Sequence, residues 1–458
     1  MSPLVAPSPL FQMFGRETAD HVTSINRPAW EKLRAILARP LTQFGLCTLL
    51  RAPRAGYGKS HLLCRLQQEL RGTHEFVLLH AADGNRFDAS ACLENVLTQL
   101  TRALPGGAGL TPLDLISRKL FALGLEPLVR SGEVPCQDRD SAMHALTQRP
   151  TETFDFHHPS AATAHWAREH FEVLGPRLIV ELSQMLHLPM RDITFWVEVL
   201  FRYAVTAPEY PSRLSHLLSC VASSSATAAH DRLAALLHIL SQWQRIALVV
   251  DELEGLSANP EAALRLATFL TTLRHGAERI DVIVSVNDDI WQSAFLPRLS
   301  GGLIDRLTEA CVTLTALSPA EALALLQSRY PGATMDALQK LNIQGDLYAR
   351  AVLRAVIQQE PQHEVTHPDL VVIASHASTQ APFFSVNDAV TTPAPAPSME
   401  ASFRSESTPS PLNTFGLSSA SESSNAVAPA SSPDATNSEN TDRINELLRQ
   451  FRERYGNS

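Results

Sequence analysis

Two groups of residues in this chain have types and spacing that can do chemistry together. The first is Gly56-Tyr57-Gly58-Lys59-Ser60, a glycine loop that ends in a lysine and a hydroxyl residue. Such a loop turns backbone N–H groups inward around a triphosphate; the ammonium reaches the β- and γ-phosphates, and the hydroxyl ligates Mg²⁺. The helix that follows adds the positive end of its dipole. Arg54, Ala55, Gly56, Tyr57, Gly58, Lys59, Ser60 and His61 are therefore the candidate nucleotide contacts. The second group is Asp251-Glu252, at the end of the apolar run IALVV. Asp251 is suited to join Ser60 in holding Mg²⁺, and Glu252 to orient and deprotonate an attacking water. One departure concerns the loop entry, because the pattern G-x-x-x-x-G-K-[ST] has Gly where this chain has Pro53. Proline cannot take the positive φ that glycine permits, so the entry must be built differently.

These residues need a sheet to bring them together. Residues 44–63, FGLCTLLRAPRAGYGKSHLL, read as strand, glycine loop and amphipathic helix. The run 246–250 has no polar alternation, as expected of a strand buried on both faces of a parallel sheet. In open α/β sheets ligands bind at the carboxyl ends of the strands, which would set Asp251 beside the loop. A second apolar run, 280–286, ends in Asn287, a candidate for holding the water or sensing the γ-phosphate. Residues 311–317 read as a further strand. After it, Ser318 is a candidate N-cap, with Pro319 at the first helical position and Glu321 in the first turn.

In that order, with phosphate loop, apolar strand with Asp-Glu, apolar strand ending in Asn and then a helical lid, the chain resembles the AAA+ ATPases. It is similar also to the related STAND ATPases, both within the ASCE class of P-loop NTPases. Phe14-Gly15-Arg16-Glu17 is similar to the motif that in these families precedes the first strand and packs near adenine. Gly345-Asp346-Leu347-Tyr348-Ala349-Arg350 is similar to the lid helix whose arginine contacts the γ-phosphate, and the resemblance gives Arg350 that role. Pro297-Arg298 and Asp305-Arg306 lie where AAA+ proteins carry an arginine finger that reaches a neighbouring subunit, Arg306 being the better match. The resemblance covers residues 10–105 and 240–360. It implies an ATPase that turns ATP and water into ADP and phosphate, with ATP and Mg²⁺ as cofactors. Glu252, Asn287, Arg350 and Arg306 would be its catalytic set. Guanine is disfavoured, because Asn287-Asp288-Asp289 is not the N-K-x-D that recognises that base.

Composition fits a large machine of several domains. The chain has 458 residues, 45% of them hydrophobic, and no apolar run approaches the roughly 18 residues that span a bilayer. Its N-terminal residues lack the basic and apolar regions of a secretion signal, so a cytoplasmic location with no membrane is expected. The six cysteines are scattered without C-x-x-C spacing, which argues against a zinc ribbon or a disulfide framework. A formal net charge of −9, with no dense Lys/Arg block, leaves nucleic acid as a partner the residues do not support.

In chain order the expectation is an α/β P-loop NTPase with a parallel sheet, a large helical insertion and a helical lid. Residues 1–10 form a flexible arm, 11–104 the first part of the ATPase core, and 105–243 the insertion. Residues 244–317 form the second part of the core and 318–376 the lid. In the insertion, 113–123, 161–174, 179–186, 192–203 and 231–243 show helical spacing. His157, His158, His165 and His170 cluster there, but His165 and His170 are five apart where a helical zinc site favours i and i+4, so packed or solvated histidines are expected. Residues 377–440 are rich in Ser, Ala, Pro and Thr and read as a disordered linker. Residues 441–456 read as an amphipathic docking helix, with Ile444, Leu447, Leu448, Phe451 and Tyr455 on one face. That helix or the insertion would meet a protein partner, and a homo-oligomer would follow from an arginine finger. The function expected is a nucleotide-driven switch or remodelling factor. A scaffold with little turnover and a DNA-associated loader are the alternatives.

Overall fold

The computed structural model describes residues 21–80, 87–104, 109–222 and 225–359. The arm at 1–10, the motif Phe14 to Glu17 and everything from 360 onward lie outside the described residues, the expected linker and docking helix included.

The chain runs α1 (Arg27–Leu37), β1 (Cys47–Ala52), α2 (Lys59–Glu69), β2 (His74–Leu79) and α3 (Ala89–Leu100). Helices α4 (Pro112–Ser131), α5 (Arg139–Gln148), α6 (Pro150–Thr153), α7 (Ala162–Glu169) and α8 (Phe171–Leu186) follow. After α9 (Met190–Val205), α10 (Arg213–Ala222) and α11 (Ala226–Leu240) the chain returns to the sheet as β3 (Arg245–Val250). Next come a 3₁₀ turn (Leu253–Ala258), α12 (Pro260–Gly276), β4 (Asp281–Asn287), α13 (Asp288–Ile290), a π-helical turn (Trp291–Phe295), α14 (Gly301–Leu307) and β5 (Ala310–Thr313). Three helices close the described chain: α15 (Pro319–Arg329), α16 (Met335–Lys340) and α17 (Ala349–Gln359).

The five strands form one sheet of order β2-β3-β4-β1-β5, parallel at every pairing. Every residue of β3 and of β4 is buried, which accounts for their unbroken apolar runs. Side chains alternate between two faces. Leu50, Phe76, Leu78, Ala247, Val249 and Ile283 pack with Leu33 and Leu37 of α1 and Leu62, Leu63 and Leu66 of α2. Leu49, Val77, Leu79, Leu248, Val282 and Val284 pack on the other face, in the core that also holds α3, α4, α11 and α12.

That division follows from the handedness of crossovers. The β1→β2 connection crosses the sheet in one direction and the later ones in the opposite direction, so right-handed crossovers put α2 on one face, beside α1, and the helices α3, α4, α11 and α12 of the later connections on the other. The connections leaving the adjacent strands β1 and β4 diverge. A crevice therefore opens between their carboxyl ends, at the place where α/β sheets bind ligands.

The helical region between β2 and β3 shares its core with the sheet. Leu120, Phe121, Trp196 and Leu200 belong to the same apolar cluster as Leu248 and Val282. Within it the expected helix 161–174 is two helices, broken at His170, whose Nδ1 lies 2.9 Å from the Trp166 carbonyl. The helix expected at 113–123 runs on to Ser131 through Pro127. Helices α15, α16 and α17, in the region expected as a lid, have a small core of their own, with Leu326, Leu338, Val352 and Val356. Ser318 caps α15, as the sequence predicts, and Glu321 completes a reciprocal box with it. The strand expected at 311–317 ends at Thr313, because the Leu317 N–H donates to the Leu347 carbonyl at 2.7 Å and the chain has left the sheet for the lid. Among the described residues no helix is long and apolar enough to cross a membrane.

Candidate functional site

The glycine loop joins the end of β1 to α2. Gly56 and Gly58 have φ of 97° and 102°, values that L side chains rarely adopt, and Gly58 is the N-cap of α2. No side chain caps that helix, so its first-turn N–H groups face whatever the loop encloses. An anion at that point would meet both the N–H groups and the helix dipole.

Lys59 is buried, with 8% of its surface exposed, and its Nζ donates to Asn287 Oδ1 at 2.5 Å. The sheet order produces this contact. Because β4 lies between β1 and β3, its last residue, Asn287, falls between the glycine loop and Asp251. Burial pushes the Lys59 ammonium below the ordinary lysine pKa; the charges of Asp251, Glu254 and Asp289 oppose that shift, and Arg350 reinforces it.

Ser60 Oγ donates to Asp251 Oδ2 at 2.6 Å, so the two proposed Mg²⁺ ligands are neighbours across the crevice. Among the described residues no group of three or more His, Cys, Asp or Glu has metal-ligand geometry. Two protein oxygens fit Mg²⁺ in a phosphate site, where the ion keeps waters and takes phosphate oxygens for the rest of its shell. His157, His165 and His170 instead place ring nitrogens 2.9, 3.0 and 2.9 Å from the carbonyls of Ala204, His158 and Trp166.

The segment 346–350, within the region expected as a lid, reaches the loop directly. The Arg350 N–H donates to the Gly56 carbonyl at 3.1 Å, and a Cβ built on Gly56 would stand 2.6 Å from that of Arg350. Tyr57 is 1% exposed; its ring stacks on Tyr348 with centroids 5.0 Å apart, and its hydroxyl lies 3.1 Å from Asp346 Oδ2. The Arg54 guanidinium sits 5.2 Å from the Tyr348 ring centre. Burial, and then Arg354, lower the pKa of Arg350, while Glu254 opposes them.

The structure thus brings together Lys59, Ser60, Asp251, Asn287 and Arg350 around the glycine loop. Ala55 lies within the loop. His61 lies in the first turn of α2, where burial lowers its pKa to about 4, helped by His21, Arg329 and Arg65. Pro53 and Arg54 are exposed at the loop entry. Glu252 is exposed in a left-handed conformation, φ 62°, with its neighbour Asp251 bonded to Ser60. It is not among the carboxylates whose charge acts on Lys59. Arg306 is exposed on α14, with Nη1 3.4 Å from His275 Nε2, and Arg298 is exposed in the preceding turn.

Two contributors escape the sequence reading. Asn26 Nδ2 donates to the Tyr57 carbonyl at 3.0 Å, so the residue before α1 clasps the loop from outside. Glu254 Oε1 accepts from Asn287 Nδ2 at 3.1 Å. Asn26 has no local signal. Glu254 has no local signal either, since it reaches Asn287 only because Glu252 turns left-handed between β3 and the 3₁₀ turn. No known protein family, curated protein or solved structure matches the chain.

Proposed function

We propose that this protein is an ATP-binding and ATP-hydrolysing switch of the AAA+/STAND kind, with the triphosphate held on the Gly56–Lys59 turn. The observation that carries this reading is the Lys59–Asn287 contact beside the Ser60–Asp251 pair at the mouth of an uncapped helix. A buried lysine whose acceptor is a neutral amide keeps its charge for a ligand, which a carboxylate partner would neutralise. Ser60 and Asp251 would hold Mg²⁺, which bridges phosphate oxygens and offsets charge that develops as the γ-phosphoryl group leaves. Asn287 orients the Lys59 ammonium, and Arg350 stands at the loop from the lid side.

The lid contacts support a switch. Arg350, Tyr348 and Asp346 all bear on Gly56 or Tyr57, so any movement of the loop on binding phosphate is felt by the lid core. Lid movement would then be read by a protein partner. Exposed Arg306 is the residue offered to a second copy of the chain, and turnover that rises with protein concentration and is lost in Arg306→Ala would establish that role.

Calorimetric titration of the full chain with ATP and Mg²⁺ tests the reading. Lys59→Ala should weaken affinity by about 100-fold or more, since it removes a buried charge-assisted contact. Unchanged affinity in that variant rules out this site.

A further inference from the structure

The position of Glu254 carries an inference that rests on the nucleotide reading and goes further into its chemistry. Three observations converge on this side chain. Asn287 uses its two amide atoms in opposite directions: Oδ1 accepts from Lys59, and Nδ2 donates to Glu254. The Glu254 charge acts on both Lys59 and Arg350, the two cations that bracket the glycine loop. Its backbone is also fixed, because Leu253 and Leu256 are buried on either side, 3% and 1% exposed, and Ser257 Oγ donates to the Glu254 carbonyl at 2.8 Å.

Glu252 differs in its contacts and not in its exposure, since both glutamates are exposed. Its left-handed backbone turns the chain from β3 into the 3₁₀ turn, and of the two it is Glu254 that bonds Asn287 and is named among the charges acting on Lys59 and Arg350. The turn at Glu252 is what allows the carboxylate three residues beyond Asp251 to come back over the end of β4.

We propose that Glu254, not Glu252, is the carboxylate that faces the γ-phosphate of bound ATP and accepts the proton of the attacking water. In that step the water oxygen bonds to the γ-phosphorus. The bond from that phosphorus to the β–γ bridging oxygen breaks, its electron pair leaves with ADP, and the water proton passes to the Glu254 carboxylate. Asn287 bonds both that carboxylate and Lys59, so one amide ties the group that takes the proton to the group that holds the phosphate.

The test compares the full-length protein with Glu252→Gln, Glu254→Gln and Glu254→Asp in two measurements. The first is ATP affinity with Mg²⁺ chelated, which reads the charge facing the phosphates and needs no turnover. Glu254→Gln should tighten that affinity by about 3- to 30-fold through lost like-charge repulsion. Glu252→Gln should leave it within about twofold, and Glu254→Asp, which keeps the charge, should stay near the parent. The second is steady-state hydrolysis with Mg²⁺. It should fall by about 100-fold or more in Glu254→Gln and hold within about threefold in Glu252→Gln.

Loss of turnover in Glu252→Gln with activity kept in Glu254→Gln would overturn the assignment. So would a Glu254→Gln variant that matches the parent in both measurements. Tightened affinity with parental turnover would overturn the proton-accepting role. A parent chain that binds no ATP refutes the nucleotide reading itself, whereas failure of the Glu254 assignment leaves ATP bound.

Discussion

Strands β3 and β4 carry buried polar groups at both ends, and the two ends treat them differently. At the amino end Asp281, 1% exposed, accepts from the Leu46 N–H at 2.9 Å, from Arg39 Nη2 at 2.5 Å and from Arg245 Nη2 at 2.8 Å. Arg245 Nη1 in turn donates to the carbonyls of Pro40 and Gln43. There is no room beside it, since a Cβ on Gly45 would lie 1.6 Å from the Ile280 carbonyl oxygen. At the carboxyl end Lys59 has a neutral amide for its partner, two glycines sit at positive φ, and a helix begins without a cap. The amino end is closed: both oxygens of its carboxylate are taken by the protein. The carboxyl end leaves donors for a ligand. Buried charge alone does not mark a site; what marks it is charge that the protein has not neutralised.

Substitutions at the two ends should therefore separate stability from binding. The largest expected effect on folding is at the closed end. Asp281→Ala leaves Arg245 and Arg39 without their carboxylate and should cost about 3–5 kcal/mol in denaturant unfolding. The protein that remains folded should bind ATP as the parent does, and an ATP affinity lost in step would break the contrast.

Gly56→Ala strikes the open end. The left-handed backbone alone costs a non-glycine residue about 1–2 kcal/mol. The added methyl group also meets Arg350. ATP affinity should fall about tenfold or more, because loop and lid both shift, with the lid becoming more open to limited proteolysis. Asn287→Ala should cost only about 1–2 kcal/mol of stability, the loss expected when a buried donor loses its acceptor, yet should slow turnover more than Asp281→Ala does. The reverse order would place the functional polar cluster at the other end of the strands.

A finer prediction concerns acid. His61 titrates near 4 in the folded chain and near its ordinary 6.5 when unfolded. Between those values the unfolded state binds the extra proton, so stability is fully present above about pH 6.5 and is lost as pH falls toward 4. His61→Gln should flatten that part of the melting temperature profile; an unaltered slope would show that other groups carry it. The smallest effect is at Glu252, where Gly suits φ 62° and should stabilise by about 0.5–1 kcal/mol, measured by thermal unfolding.

The readable parts of the fold were those whose cause is local. The apolar runs ending at Val250 and Val286 announced buried parallel strands, because burial on both faces removes polar alternation. Ser318 and Glu321 announced a helix start, because a capping box closes within four residues. Lys59, Ser60, Asp251 and Asn287 were singled out by type and position and Arg350 by the family resemblance, and the structure gathers them at the glycine loop. The contact of Glu254 with Asn287 has no such local cause, since nothing in the run Asp251 to Glu254 announces a backbone that turns left-handed at Glu252. The helix 161–174 was read as unbroken because apolar spacing continues across His170 while the backbone does not.

The sequence by itself determined which segments would be strands, which loop would carry glycines at positive φ, and which polar residues would end the strands. Those follow from burial and steric preference within a few residues of chain. Only the tertiary structure decided which of these polar residues meet. Strand order set Asn287 between Lys59 and Glu254, and lid packing set Arg350 on Gly56. Contacts between residues so far apart depend on how crossovers are laid across a sheet, a choice made by the summed packing of two faces and by no single stretch of sequence.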